Sequence, residues 1–340
     1  MLNCVYRLEE PRTIVPTFIE IEAEGKVIVR PTFLSICNAD QRYYQGTRGK
    51  EAMEKKLPMA LIHEGIGVVV SDRSGLFEKG QRVVMLPNNP VEDDDFIAEN
   101  YLTSSQFCGS GYDGFMQEIV ALPSSRVLPI PEGIIDEVAA FTELVSVAVH
   151  AITRFENISH PRRDRIGVWG DGNLGYIIAL LLTRLYPESE IIIFGRNDYK
   201  MADFTFCSEQ NNVNDLTGVC PIDHAFECCG GEGSIAAIRQ IIDVIKPEGT
   251  LSILGVTENE APINTRMVLE KGLRIFGSSR SGLADFQRTI ELFSKYPEIS
   301  GYLESLVGRV VPVKTIADIA KAFEFDMEKS SGKTIMQWRM

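Results

Sequence analysis

The stretch Ile166-Gly167-Val168-Trp169-Gly170-Asp171-Gly172-Asn173-Leu174-Gly175 decides the fold. A short apolar run ends in glycines spaced Gly170-x-Gly172-x-x-Gly175, and a second apolar run follows through Tyr176, Ile177, Ile178, Leu180, Leu181 and Leu182. Strand, glycine turn and helix in that order are the context in which such glycines hold a dinucleotide. Gly170 permits the tight turn, Gly172 lets the backbone approach a pyrophosphate, and Gly175 lets the helix pack closely on the strand. The helix start, at Asn173 and Leu174, offers free N–H groups and the positive end of its dipole to the phosphates. A triple glycine alone also arises in ordinary turns, so the flanking strand and helix carry the assignment.

Downstream of the glycines, strand patterns at residues 191–194, 204–206, 223–228, 250–254 and 274–277 are interleaved with helix patterns at 174–186 and 234–245. Such alternation predicts an α/β fold with an open, doubly wound parallel sheet. Upstream the pattern is different. Short β segments at 26–30, 65–70, 82–86, 115–121 and 126–130, separated by turn signals, predict a compact barrel-like domain. A helix is expected from Asp136 as N-cap, with Ala139, Ala140, Leu144, Val147 and Ala148 on its apolar faces. The tail from about residue 283 carries helices and late strand patterns at 308–313 and 334–338 that return to the first domain. The expected organisation is therefore residues 1–145 with 283–340 as one domain and 146–282 as the dinucleotide-binding domain.

Composition narrows the function classes. With 340 residues, 44% hydrophobic and 24% charged, the chain is an ordinary globular protein of about two domains. A net charge of −13 speaks against a nucleic-acid partner, which needs a basic surface. No apolar run is long enough to span a membrane, and residues 1–12 lack a signal-peptide core. Seven cysteines without framework spacing fit a reducing, cytoplasmic setting.

Residues in the first half and the following helix offer a metal set: Cys37, the pair His63-Glu64, and Glu143. Thiolate, imidazole and carboxylate together suit zinc, and a catalytic zinc keeps one position open. Each residue alone has a plainer reading, since a single cysteine is usually a small buried hydrophobe and a His–Glu pair an ordinary contact. Among the remaining cysteines, Cys228 and Cys229 read as core packing, and Cys4, Cys207 and Cys220 as packing or surface residues. His150 reads as a structural histidine in a helix, while His160 and His224 show no cluster.

Cys37-x-x-Asp40, His63-Glu64-Gly65 running into Gly67-Val68-Val69, Asp113-Gly114-Phe115, Glu143-x-x-Ser146-x-x-x-His150 and the glycine motif, in that order, resemble the zinc-dependent medium-chain dehydrogenase/reductase family. The likeness covers essentially the whole chain. It is closest to one branch, the NADPH-dependent ribulose-5-phosphate reductases of bacterial teichoic acid synthesis. That branch is resembled through Ala39-Asp40-Gln41-Arg42-Tyr43-Tyr44, Trp169–Tyr176, Asp223-His224-Ala225-Phe226-Glu227-Cys228 and Gly277-Ser278-Ser279-Arg280-Ser281-Gly282. The resemblance implies a GroES-like catalytic domain beside the Rossmann sheet. It also implies one catalytic zinc per chain, with Cys37, His63, Glu64 and Glu143 as metal-site residues, the two glutamates not being separated by it. Asp40 would accept from the ligand histidine and fix its tautomer. Two departures matter. Ala39 stands where the family's alcohol enzymes place a relay hydroxyl, and the four-cysteine structural zinc lobe is missing, since residues 88–108 contain only Cys108.

Cofactor choice is read after the strand at 191–194, where Gly195-Arg196-Asn197 replaces the acid that holds an NAD ribose. Arg196, with Lys200, suits the 2′-phosphate of NADPH, although Asp198 is a nearby acid that would oppose it. A ketose phosphate also needs a cationic clamp. The candidates are Arg42 beside Tyr43, Arg280 among serines, and Arg48, with Lys50 better read as a surface charge. The expected activity is hydride transfer from NADPH to the ketone of D-ribulose 5-phosphate. Zinc chemistry on an unphosphorylated polyol and a non-catalytic NADPH sensor stand as alternatives. By resemblance the chain would form a homodimer and associate with a cytidylyltransferase.

Overall fold

Val27–Ile36 is buried along nearly its whole length, so it can only be a central strand. In the computed structural model, which describes Met1–Met340, it lies between antiparallel Glu64–Asp72 and antiparallel Lys333–Trp338. The full sheet runs Val127–Pro129, Arg82–Met85, Glu64–Asp72, Val27–Ile36, Lys333–Trp338, Val307–Val313, with Val120–Leu122 also paired to the central strand. Leu2–Glu10, Thr13–Glu20 and Met59–Ala60 make a small second sheet. The last two strands of the main sheet are parallel and are joined through the helix Ile316–Glu328, capped by a reciprocal Thr315–Asp318 box. These elements belong to one compact unit, Met1–Ser146 with Ser281–Met340. Its core gathers Leu34, Ile36, Tyr43, Leu61, Phe115, Phe323 and Met336.

The second unit is Val147–Arg280. Its six strands are all parallel, in the order Glu209–Asn212, Glu190–Gly195, Arg165–Trp169, Ile222–Glu227, Ile245–Ile253, Arg274–Gly277. The order reverses beside Arg165–Trp169, which is where a doubly wound sheet opens a ligand crevice at its strand ends. The helix Asn173–Leu185 starts there, and Gly175 lets it start so close: a Cβ would stand 1.9 Å from the Gly170 carbonyl oxygen. Gly170 itself takes φ 127°, a conformation closed to other residues at little cost.

Several expectations need correction. Residues 204–206 are not a strand. Phe204 and Phe206 instead pack edge-on to Tyr176, and the sheet edge is the polar Glu209–Asn212, which carries no apolar signal. The helix expected from Asp136 is two helices, Asp136–Ala139 and Thr142–Ile158, and Ile135 rather than Asp136 is the first cap. Asp136 is ion-paired with Arg82 at 2.6 Å. His160 and His224 do meet, with ring centroids 4.3 Å apart, because the segment between helix and strand folds back and His224 donates to the Arg162 carbonyl. Cys229 is exposed rather than packed in a core.

Candidate active site

Strand register assembles the site. Thr334 pairs with Ile36 and Glu64 pairs with Ser35, so the ends of three neighbouring strands deliver Cys37, the His63–Glu64 pair and Lys333 to one place. Cys37 leaves its strand as the N-cap of the helix Asn38–Tyr44. Its sulfur accepts from the Ala39 N–H at 3.2 Å and lies 3.2 Å from His63 Nε2. Asp40, three residues on, returns its carboxylate to the Cys37 N–H at 3.0 Å, closing a capping box around the thiol.

His63 follows a strained residue. Ile62 sits at φ 71°, unfavourable for a β-branched side chain. The surroundings hold it there: Asp40 accepts the Ile62 N–H at 3.0 Å, and the Phe115 N–H binds the Ile62 carbonyl at 2.7 Å. Gly114 permits that second contact, since a Cβ there would be 2.3 Å from the Ile62 oxygen. The Asp-Gly-Phe motif therefore acts as a clamp behind His63. Asp113 completes it by accepting from the Ala60 N–H and pairing with Arg7.

Donor atoms of His63, Glu64 and Glu143 all lie within 4.8 Å of one another, as do those of Cys37, Asp40 and His63. Two groups sharing His63 make one continuous donor cluster. Burial pushes the Cys37 thiol up, and it pushes the Glu143 carboxyl up to about 7 despite the pull of His63. Burial also opposes ionisation of Asp40 and His63, but it is outweighed at Asp40 by His63 and the backbone N–H groups of Cys37 and Ile62, and at His63 by Cys37 and then Asp40. Asp40 is lowered and His63 well raised. Asp40 Oδ1 stands 3.6 Å from His63 Nδ1, beyond hydrogen-bond length, and Nδ1 is buried without a partner. A thiol, an imidazole and carboxylates converging in a buried place, with ionisation of Cys37 and Glu143 opposed by that burial, fit a divalent cation of the zinc type.

The main residue that sequence reasoning missed is Lys333. It is buried, and its Nζ lies 2.8 Å from Glu64. In the sequence it is only the first residue of a C-terminal strand, 269 positions away.

In the second unit Gly172 caps the helix Asn173–Leu185, and a Cβ there would meet nothing within 4 Å. The helix start thus faces open space, as an anion site requires. Asp171 was also missed: its carboxylate accepts from the N–H groups of Arg196 at 2.9 Å and Asn197 at 2.7 Å, fixing the following turn. Arg196 is exposed on that turn, and Lys200 lies on the short helix after it. The opposing acid, Asp198, is engaged by Asn212 Nδ2 at 2.7 Å. Glu227, fully buried, anchors the neighbouring turn through the N–H groups of Cys229 and Gly255. Of the substrate candidates, Arg42 and Tyr43 lie on the helix that Cys37 caps, with Tyr43 buried. Arg280 takes φ 59° at the end of the second unit.

The model of the alcohol dehydrogenase GroES-like domain matches residues 23–132, and that of the zinc-binding dehydrogenases matches 201–295. Ribulose-5-phosphate reductase of Bacillus spizizenii is 53% identical over 100% of both chains. Ribulose-5-phosphate reductase 2 of Staphylococcus aureus is 51% identical over 99% of each. The crystal structure of S. aureus TarJ in complex with NADPH matches with a TM-score of 0.90 at 46% identity, covering 100% of both chains.

Removing one partner of a buried ion pair costs about 3–5 kcal/mol, because the other charge stays buried. Lys333→Met is therefore expected to lower the stability of the metal-free protein by that order and to lose less when zinc is saturating. Thermal unfolding with and without zinc checks this. An equal drop in both conditions would separate Lys333 from the metal cluster.

Proposed function

The chain belongs to the zinc-binding dehydrogenase family, and we propose that it reduces the ketone of D-ribulose 5-phosphate to D-ribitol 5-phosphate with NADPH. The carrying observation is full-length identity above 50% to two ribulose-5-phosphate reductases, in a chain that brings a half-buried Cys37 and buried Glu64 and Glu143 together around His63. Cys37, His63 and Glu143 hold zinc in this reading, with Glu64 adjacent and tethered by Lys333. Residues 1–145 and 283–340 form the catalytic domain and 146–282 the NADPH domain.

When bound, zinc supplies Lewis acidity toward the ketone oxygen and NADPH supplies the hydride. The protein's own part is placement. The Ala39 N–H fixes the Cys37 sulfur, and the Asp113-Gly114-Phe115 clamp holds His63 in line. Asp40 stands behind the imidazole, and its negative charge favours a ring whose Nδ1 keeps its proton, leaving Nε2 to face the metal. Gly170, Gly172, Asn173, Leu174 and Gly175 receive the pyrophosphate. Arg196 and Lys200 receive the 2′-phosphate, on a turn that Asp171 pins and from which Asn212 draws Asp198 away. Arg42, Tyr43 and Arg280 are the substrate-side residues. The product is chemically suited to cytidylyl transfer, consistent with a cytoplasmic homodimer that works beside a cytidylyltransferase in making CDP-ribitol for teichoic acid.

NADPH oxidation by the zinc-loaded protein should be far faster with D-ribulose 5-phosphate than with D-ribulose, and thorough metal removal should abolish it. Equal rates on the two sugars would discard the sugar phosphate and leave a zinc reductase of another substrate. For the cofactor, Arg196→Ala should weaken NADPH by roughly 1.5–3 kcal/mol, the worth of a charge-assisted hydrogen bond, and NADH much less. A loss shared equally by both would make Arg196 structural.

A further inference from the structure

The helix that Cys37 caps, Asn38–Tyr44, has only seven residues. An isolated helix of fewer than about 12 residues is marginal in water, so this one persists because it is docked. Its first turn is held by Asp40, which accepts the N–H groups of Cys37 and Ile62. Its second turn is held by another helix, Ile316–Glu328. The buried Gln41 donates from Nε2 to the Phe323 carbonyl at 2.8 Å, and its Oε1 accepts from Gln45 at 3.1 Å. Tyr44 lays its ring on that of Phe323, with centroids 4.4 Å apart and planes inclined by 14°. The Tyr44 hydroxyl donates to Glu324 at 3.1 Å. Arg12 meets the same carboxylate at 3.2 Å, and its backbone N–H binds the Tyr44 carbonyl at 2.9 Å.

The Cys37 sulfur is fixed to this short helix. It accepts from the Ala39 N–H at 3.2 Å, and the Gln41 N–H binds the Cys37 carbonyl at 3.1 Å. A shift or opening of Asn38–Tyr44 therefore carries the sulfur with it. The supporting helix also reaches the carboxylate side of the donor cluster. Three residues beyond Phe323, about 4.5 Å further along the axis, the buried Asp326 pairs with Lys329. The chain then enters the strand whose first residue, Lys333, holds Glu64. One rigid element thus stands behind the thiol and behind Glu64.

Resting on the reading of Cys37 as a zinc ligand, we propose that Gln41 and Tyr44 are positioning residues for that ligand, and that the helix Ile316–Glu328 is the support through which they act. Docking keeps the thiol in place, and undocking lets the sulfur leave the metal. Opening of a short element is governed by the few contacts that hold it. Loss of one such contact is therefore read in how long the protein keeps its zinc. Side chains that served only to pack the core would lower overall stability and leave zinc release untouched.

The test measures zinc release to excess chelator, and the sulfur-to-cobalt charge-transfer absorption of the cobalt-substituted protein. Both are compared in the wild type, Gln41→Leu, Tyr44→Ala, Tyr44→Phe and Phe293→Leu. Phe293 is the control, a buried ring of the helix Leu283–Lys295 outside the core shared by Tyr44 and Phe323. Gln41→Leu and Tyr44→Ala should release zinc about tenfold to a hundredfold faster, the range expected when groups that orient a metal ligand are removed. Both should also weaken the sulfur absorption. Tyr44→Phe keeps the stacked ring and should recover most of the wild-type behaviour. Phe293→Leu should release zinc at the wild-type rate although its unfolding temperature falls. Cooperative thermal unfolding certifies that each variant is folded, and should Tyr44→Ala not fold, Gln41→Leu, which keeps the ring stack, decides the matter. Unchanged release and absorption in folded Gln41→Leu, or equal acceleration in Phe293→Leu, would overturn the proposal and leave Cys37 a ligand without this support. A wild type lacking the sulfur absorption would instead overturn the reading of Cys37 as a ligand.

Discussion

The balance of charge buried at the ends of three adjoining strands is the constraint on which the rest of the first unit depends. Glu64 and Glu143 converge with the Cys37 thiol on one histidine, and Asp40 stands behind that histidine. Against these groups the protein itself sets only His63 and Lys333. Desolvating a single carboxylate without a partner would cost several kcal/mol. The cluster is therefore intelligible as a site completed by a divalent cation, with Lys333 holding one carboxylate in check. That arrangement also explains why the C-terminal strand must return to the sheet centre beside Val27–Ile36: the lysine rides on its first residue.

Backbone strain supports the same centre. Ile62 holds a left-handed conformation that costs of order 1–3 kcal/mol. An Asp40 carboxylate oxygen on its N–H and the Phe115 N–H on its carbonyl stabilise the conformation and aim His63. Asp40 thus serves three ends: it caps the Cys37 helix, holds Ile62 and stands behind the imidazole. In the second unit Asp171 and Glu227 do comparable work, each turning a carboxylate onto the N–H groups of a loop at the strand ends. Carboxylates here hold backbone as much as they do chemistry, which accords with a protein so rich in acid.

What was legible in the sequence follows from what is local. The Gly170-x-Gly172-x-x-Gly175 turn was readable because its requirements lie within ten residues: φ 127° at Gly170 and the 1.9 Å approach at Gly175. The alternating apolar strands that follow were readable for the same reason. Glu209–Asn212 was hidden because an edge strand needs no apolar face, and the neighbouring phenylalanines carried the misleading signal. The break between Asp136–Ala139 and Thr142–Ile158 leaves no proline or glycine to mark it. Lys333 was hidden for another reason: its significance is set by register and by a partner far along the chain, and no spacing rule connects position 333 to position 64. Pairing of His160 with His224 was lost in the same way.

The central claim is that Cys37, His63 and the carboxylates form one mixed-donor zinc site. X-ray absorption at the zinc edge of the loaded protein tests it most directly. The account predicts a single sulfur at about 2.3 Å with the remaining ligands nitrogen or oxygen at roughly 2.0–2.2 Å, the sulfur vanishing in Cys37→Ser. A first shell with no sulfur, or with several, would contradict it.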